Sequence, residues 1–299
     1  MDIGRLRALR ELSIRKTMAA VADALHVSPS AVSQQISLLE QEVGIDLVER
    51  RGRGVNLTIA GEMLVERANR IFLELESARA DMAELKEVIA GEIRVAAFPS
   101  VAAALLPKTM LALSAAHPQL RVQFDEMEPE EGINALRSWQ TDVALVDDLN
   151  VPPALLDPGI ELLPLMEDVF NVMMSSGHPL AGEDEVMLSD LRHEQWVIDT
   201  ASVSYTSLLT QACQSVGYVP EIIGRCKGFE VAHAMIREGC GIAIFPELRA
   251  SLNLKDARFC RLVPEIRRKI SIAFRKGEKK SPALQAFLQC LTDQAAAFR

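Results

Sequence analysis

The stretch Thr17–Gly61 reads T-M-A-A-V-A-D-A-L-H-V-S-P-S-A-V-S-Q-Q-I-S-L-L-E-Q-E-V-G-I-D-L-V-E-R-R-G-R-G-V-N-L-T-I-A-G. Two short helical patterns lie close together in it. The first spans Met18–Leu25, with Thr17 as N-cap, and its alanines let another helix approach closely. After a turn at His26-Val27, Ser28 is a good N-cap and Pro29 takes the first helical position, where its missing N–H costs nothing. Val32, Ile36 and Leu39 repeat at helical spacing and predict a buried stripe. The opposite face carries Ser30, Ser33, Gln34, Ser37 and Gln41, short polar groups able to donate to and accept from base edges. This is the pattern of a helix-turn-helix whose second helix enters a DNA major groove. A polar helix face is most often simply solvated, so the pair alone decides little. The next block decides more: Val48–Leu57 has the form of strand, glycine turn and strand. Arg50, Arg51 and Arg53 sit on its tip, which suits phosphate contacts and minor-groove insertion. Together the two features predict a winged helix-turn-helix with Ser28, Pro29, Ser30, Ser33, Gln34, Arg50, Arg51 and Arg53 as candidate DNA contacts.

These residues resemble the DNA-binding domain of LysR-type transcriptional regulators. The block from Met1 to Gly61 matches that family without gaps, including A-D-A-L-H-V-S-P-S-A-V-S-Q-Q-I-S-L-L-E, L-V-E-R and L-T-I-A-G. Pro29 stands where the family often has Gln, Gln34 where it often has Arg or Lys, and Val48 where Phe is usual. The first two departures bear on base preference rather than on the mode of binding. The resemblance implies a regulator of transcription with a linker helix and an effector-binding region built like a two-lobed periplasmic binding protein.

Composition limits how DNA could be bound. The chain has 299 residues, 49% of them hydrophobic, enough for two or three packed units, and a formal net charge of −9. A basic coat is excluded, so the DNA footprint must be local, carried by the arginines of the first residues and of the wing. No apolar run reaches about 18 residues, and the N-terminus opens a charged helix rather than a secretory leader, so a cytoplasmic protein without a membrane span is expected. The five cysteines, at 213, 226, 240, 260 and 290, show no C-x-x-C spacing and are expected reduced. A Cys213–Cys226 redox switch is the less favoured alternative. No metal-ligand spacing appears, and His233 near Glu230 and Glu238 reads as a helix-surface residue; neither metal nor cofactor is expected.

Taken in order, residues 2–13 read as a helix with Leu6, Leu9 and Leu12 on one stripe. From Thr58 a long helix is predicted to about Ile89, roughly 45 Å at 1.5 Å per residue. Its heptad seam, Leu64, Ala68, Ile71, Leu75, Ala78, Met82, Leu85 and Ile89, suits a two-helix coiled coil and hence a dimer, or a tetramer. After Gly91 short apolar strands alternate with helices, which predicts α/β units on mostly parallel sheets. Candidate strands include Leu162–Met174, Cys260–Val263 and Ile270–Phe274; candidate helices include Ala102–Ala116 and Pro282–Ala297. The expected division is 1–58 for the winged helix-turn-helix and 59–90 for the linker helix. Residues 91–299 form the effector-binding domain, with lobe I at about 91–163 and 265–299 and lobe II at about 164–264. The chain would cross between lobes near Leu163–Asp168 and return near Pro264–Lys269. His178-Pro179-Leu180 resembles the family's H-P-L turn.

Ligands of open α/β sheets sit beyond the carboxyl ends of strands. The first such end is Phe98-Pro99-Ser100-Val101, where Ser100 is read as capping a helix whose free N–H groups could receive an anion. In the second lobe Thr200, Ser202 and Ser204 follow a strand, Arg225 and Phe229 could supply a cation and an apolar wall, and Pro246 ends another strand. Phe98, Ser100, Val101, Thr200, Ser202, Arg225, Phe229 and Pro246 are therefore the candidate contacts of a small-molecule effector, for which an anion is one option. The expected partners are double-stranded DNA, that effector and a second copy of the chain. Two rivals stand beside this reading. One is an architectural DNA-binding protein with a non-responsive sensor domain. The other is an enzyme on the α/β region, against which stands the absence of G-x-S-x-G, a phosphate-binding glycine loop and H-E-x-x-H.

Overall fold

The computed structural model describes residues 1–25, 27–51, 54–84, 89–152, 159–200, 203–250 and 256–298. The N-terminal unit consists of α1 (Ile3–Arg15), α2 (Met18–Leu25), α3 (Pro29–Val43), the antiparallel pair β1 (Val48–Arg51) and β2 (Gly54–Leu57), and the long α4 (Ile59–Glu84). Leu6, Leu9, Leu12, Val21, Val32, Ile36, Leu39 and Ala68 close one core beneath the three short helices. Local sequence explains the element ends. Asp2 caps α1, accepting from the Gly4 and Arg5 amides, and Gly44 ends α3 with φ +72°. The Glu40 carboxylate accepts from the Leu47 and Val48 amides at 2.9 and 3.2 Å, and the Val55 amide donates to the Lys16 carbonyl at 3.0 Å. Those bonds tie the two strands to α3 and α1.

Helix α4 departs from the expected seam. Ala68 and Phe72 are buried, and Leu64 and Leu75 pack beside them on the N-terminal core. Half of the stripe therefore faces the chain's own helices. Exposed apolar positions are Ile59, Met63, Ile71, Ala78 and Met82. Leu85 lies outside the described residues, and Ile89 is not helical but packs on the core of the next domain.

That domain holds β3 (Gly91–Ala97), α5 (Pro99–Ala104), α6 (Leu106–Ala116), β4 (Leu120–Glu126), α7 (Pro129–Arg137), β5 (Val143–Asp147) and β6 (Ile160–Ser175). There follow β7 (Glu185–Met187), β8 (Gln195–Asp199), α8 (Val203–Ser215), β9 (Glu221–Cys226), α9 (Phe229–Arg237), β10 (Ala243–Pro246), α10 (Glu247–Ala250), β11 (Ala257–Arg275) and α11 (Pro282–Ala297). The single helix expected over Ala102–Ala116 is two, because Pro107 lies in the first turn of a new helix capped by Leu105. The two candidate strands after Cys260 are one, β11, of 19 residues. It runs antiparallel to the 16-residue β6 from Ala257↔Ser175 to Arg275↔Ile160, with irregularities between Arg261 and Ile266 and at Ile270/Ser271. Pro264 and Pro164 fall at these two breaks, where an imino nitrogen cannot serve a regular ladder. This antiparallel pair is shared by both lobes; among the described strands β3 pairs in parallel with β4 and β5, β7 with β11 and β8 with β9, and Trp196 makes an isolated parallel bridge to Ile242. Lobe I packs Val95, Leu145 and Phe274 against Phe287 and Leu291 of α11. Lobe II packs Phe170, Val172, Trp196, Leu209 and Ile244.

The L-T-I-A-G motif has a steric cause. Thr58 Oγ1 donates to the Asp46 carbonyl and accepts from the Gly61 amide, and a Cβ at Gly61 would lie 2.1 Å from the Leu47 carbonyl oxygen. Gly61→Ala is expected to lower stability by about 1–3 kcal/mol, the usual cost of overpacking, despite alanine's better helix propensity. A thermal melt of the full chain checks this; a higher Tm would mean that propensity outweighs the clash.

Candidate nucleic-acid interface and interlobe cleft

The candidate reading head is α3. Ser28 is its N-cap, accepting from the Ala31 amide at 3.2 Å, with Pro29 in the first turn. Ser30, Ser33, Gln34, Ser37 and Gln41 are exposed, while Val32, Ile36 and Leu39 face the core. Arg50 and Arg51 end β1, in register with Val55 and Gly54. Arg53 lies outside the described residues. The polar face and the arginine-bearing strand are held in one rigid unit by the Glu40 bonds described above.

The second site lies where strands of both lobes end. Phe98, Pro99 and Ser100 follow β3, Glu128 follows β4 and Asp147 ends β5; from the other lobe come Asp199 at the end of β8, Tyr205 of α8, Phe245 and Pro246 of β10, and Arg249 of α10. Arg268 of β11 stands between them with its side chain fully buried. Each of its N–H groups is used. Nε and Nη2 donate to Asp168 Oδ2 at 3.0 and 2.6 Å, Nη1 to Asp147 Oδ2 at 3.3 Å and to the Tyr205 hydroxyl at 2.9 Å, and Nη2 also to Ser100 Oγ at 2.7 Å. Its guanidinium carbon lies 4.9 Å from the ring centre of Phe98 and 5.4 Å from that of Phe170. Burial opposes its charge, but Tyr205, Asp168 and Asp147 outweigh that and hold its pKa above the usual arginine value. The space left over is about 20 Å³, room for roughly one water.

The remaining charge is lopsided. The Glu128 carboxyl is pushed up to about 7, first by burial and then by Asp147, Asp199 and Glu131, with Arg268 pulling the other way. Arg249 lies over the Phe229 ring at 5.2 Å.

The profile of the LysR substrate binding domain matches residues 86–296, and that of the bacterial regulatory helix-turn-helix protein of the lysR family matches residues 3–62. The chain belongs to the LysR family. A hydrogen peroxide-inducible genes activator of Dickeya chrysanthemi is 27% identical over 280 residues, 93% of this chain and 90% of that one. The transcriptional dual regulator GltC of Bacillus subtilis is 25% identical over 293 residues, 97% and 96% of the two chains. Among solved structures, a full-length OxyR variant from Pseudomonas aeruginosa superposes with a TM-score of 0.74 at 21% identity, covering 99% of this chain and 94% of that one, a likeness of fold. Full-length CbnR in complex with its target DNA superposes with a TM-score of 0.58 at 26% identity, covering 99% and 100%. This LysR-family protein is thus a DNA-binding transcription regulator with a two-lobed α/β effector-binding domain.

Of the effector candidates, Phe98, Ser100 and Pro246 line the cleft. Ser100 does so differently from the expectation: Phe98 is the N-cap of α5, and the Ser100 hydroxyl accepts from Arg268 instead of capping. Val101 is buried in the lobe I core and Phe229 packs on Phe245. The Thr200 hydroxyl donates to the Cys226 carbonyl at 3.0 Å, and Arg225 is exposed on β9. Ser202 lies outside the described residues. Sequence reasoning missed Glu128, Asp147, Asp199, Tyr205 and Arg268. Their signal was positional: all but Tyr205 and Arg268 stand at or just past the carboxyl end of a strand.

The two halves of the protein meet at Trp139, which has φ +64° in the turn after α7. Its ring packs edge-on against Phe72 of α4 at 5.9 Å, and the guanidinium carbons of Arg10 and Arg275 lie 5.2 and 4.2 Å from its centre. Arg10 is buried, donates to the Ser138 carbonyl at 3.0 Å and pairs with Glu11. Burial lowers its pKa to about 10.

Because the folded pKa of Glu128 exceeds its ordinary 4.5, its contribution to stability is complete below that value and is lost as pH rises through about 7. Glu128→Gln is expected to raise Tm at about pH 8 and change it little at about pH 5. Equal shifts at both would show that Glu128 carries no such penalty.

Proposed function

We propose that this LysR-family regulator reads its operator with Ser30, Ser33 and Gln34 on α3, anchors on phosphates and the minor groove through Arg50, Arg51 and Arg53, and takes its signal from a small molecule in the cleft between the lobes. The N-terminal 58 residues are the DNA-binding unit, residues 59–90 the linker and the remainder the sensor. The observation that carries the reading is the exposed polar face of α3, held to the wing by Glu40. A change in the cleft would reach that face through Arg268, the β6–β11 pair and the Trp139 joint. The protein acts without catalysis, in the cytoplasm where duplex DNA is accessible; no described helix is long and apolar enough to cross a membrane.

Relatives named for hydrogen peroxide suggest a thiol sensor. Burial pushes the thiols of Cys213, Cys226, Cys260 and Cys290 up, which suppresses their reactive thiolates, and leaves the exposed Cys240 as the thiol that such a sensor would have to use; the reading retains a bound effector in the cleft. One observation favours the rival of a non-responsive sensor: Arg268 already occupies the cleft. A footprint on operator DNA that is unchanged by any small molecule would support that rival.

Two experiments test the rest. Gln34→Ala is expected to relax base preference at one operator position by roughly 1–3 kcal/mol, whereas Arg51→Ala should weaken specific and nonspecific duplex alike and reduce the salt slope. Binding titrations on operator and random duplex at several salt concentrations separate them; identical behaviour of the two variants would remove the division of roles.

The exposed stripe Ile59, Met63, Ile71, Ala78 and Met82 is the dimerisation face. Met82→Arg, on an exposed position, should dissociate the dimer without unfolding the chain, while Leu75→Arg, packed on the N-terminal core, should destabilise that core as well. Sedimentation and circular dichroism on both variants check this; an unaltered oligomer in Met82→Arg would move the interface elsewhere.

A further inference from the structure

Ligands of open α/β sheets lie beyond the carboxyl ends of the strands, and in this chain that place is taken by a side chain of the protein itself. Arg268 stands in register with Asp168 across the β6–β11 pair, and that carboxylate accepts from Nε at 3.0 Å and from Nη2 at 2.6 Å. The pairing aims the guanidinium out of the crossover strands and into the cleft. Its other hydrogen bonds divide between the lobes. Ser100 Oγ at 2.7 Å and Asp147 Oδ2 at 3.3 Å receive it in lobe I, and the Tyr205 hydroxyl at 2.9 Å receives it in lobe II. Phe98 of lobe I and Tyr205 of lobe II set their ring centres 4.9 and 6.0 Å from the guanidinium carbon. Carboxylates, hydroxyls and aromatic faces are the groups with which a two-lobed binding protein would hold a free organic cation. Here the cation is attached to the hinge.

From this geometry we infer that Arg268 is a resident ligand: its guanidinium occupies the cleft in place of a free molecule and clasps lobe II to lobe I, so that the sensor is closed before any effector arrives. The inference rests on the cleft being the sensing site. A tethered group meets its own site at a high effective concentration, so the clasp does not empty on dilution as a free ligand would. Beyond the crossover strands, and among the described residues, its hydrogen bond to lobe II goes to the neutral hydroxyl of Tyr205, whereas lobe I supplies a carboxylate as well. The lobe II bond is therefore the weaker side of the clasp. A molecule that enters this cleft acts by releasing the clasp, and the signal is opening rather than closure.

Amide hydrogen exchange on the full chain, with operator footprinting in parallel, tests this. Tyr205→Phe keeps the ring and leaves both carboxylates paired with Arg268. Exchange in α5 and α8, the two walls of the cleft, should then quicken by roughly threefold to tenfold, the scale of one neutral hydrogen bond, while α11, which does not line the cleft, keeps its wild-type rate. Arg268→Ala should lower Tm and open the cleft further. Millimolar N-ethylguanidine, the fragment that this substitution removes, should restore both the protection and the wild-type footprint, whereas ethylamine, a point charge without the planar fork, should not. Wild-type exchange of α5 and α8 in Tyr205→Phe would overturn the clasp, and this variant decides the matter if Arg268→Ala does not fold. An equal acceleration in α11 would also overturn it, as a loss of global stability alone, and so would equal rescue by ethylguanidine and ethylamine. Opening in both variants with an unaltered footprint would uphold the resident ligand and remove the cleft from the path to DNA, so that the proposed function would fail and the inference would stand.

Discussion

The burial of Arg268 is the constraint around which the effector domain is built. A guanidinium removed from water is unfavourable unless each N–H finds an acceptor and the charge finds a partner. Here the acceptors come from four separated segments, around residues 100, 147, 168 and 205. They belong to both lobes and to the crossover strands, so the position of one side chain depends on the lobes being in register with each other. Asp168 is itself fixed by the Leu248 amide, and Asp147 by Asn150, which extends the constraint to α10 and to the turn after β5. The lobes are closed over a charge rather than over an apolar plug, and their relative position is therefore sensitive to any other charge placed beside it.

Under the proposed reading, a signal from the cleft would travel through packing as well as charge. The crossover pair β6–β11 runs the length of both lobes, and β11 ends at Arg275, one of the two arginines on Trp139. Arg268 and Arg275 are thus seven positions apart on one strand, the first in the cleft and the second at the joint with the DNA-binding unit. A slide or twist of β11 that alters one alters the other. Coupling of this kind needs a rigid element with contacts at both ends, and a doubly paired strand supplies it.

How much of this was legible in the sequence depends on the range of the interactions. The helix-turn-helix could be read because its signals are local: Ser28 and Pro29 start α3, Gly44 ends it, and Val32, Ile36 and Leu39 mark its buried side. The crossover strands were read only in part: Leu162–Met174 was expected as one strand, as β6 is, whereas β11 was expected as two short strands on either side of Pro264, because a break in pairing at a proline reads in sequence as the end of a strand. The linker seam was misread in part, since a heptad pattern does not say whether the partner is another chain or the helices just upstream, and Phe72 and Trp139 took the place a second helix would have filled. The cleft was least legible. Ser100 and Arg268 are separated by 168 positions, and no local pattern pairs them. An acid at a strand end and an arginine in a strand interior become a site only when the fold superimposes them.

The Trp139 joint has a consequence for how this protein can be cut and recombined. Trp139 belongs by sequence to the sensor, yet its ring completes the core of the DNA-binding unit beside Phe72 and Arg10. The two units are not independent modules that a linker merely tethers. A chimera that grafts this DNA-binding unit onto a foreign sensor would leave Phe72 uncovered and Arg10 buried against nothing unless Trp139 and the Ser138 carbonyl travelled with it. Exchange of specificities by domain shuffling is therefore restricted to partners that present an aromatic ring and a free carbonyl at the same turn, and drift at residue 139 must be matched on α1 and α4.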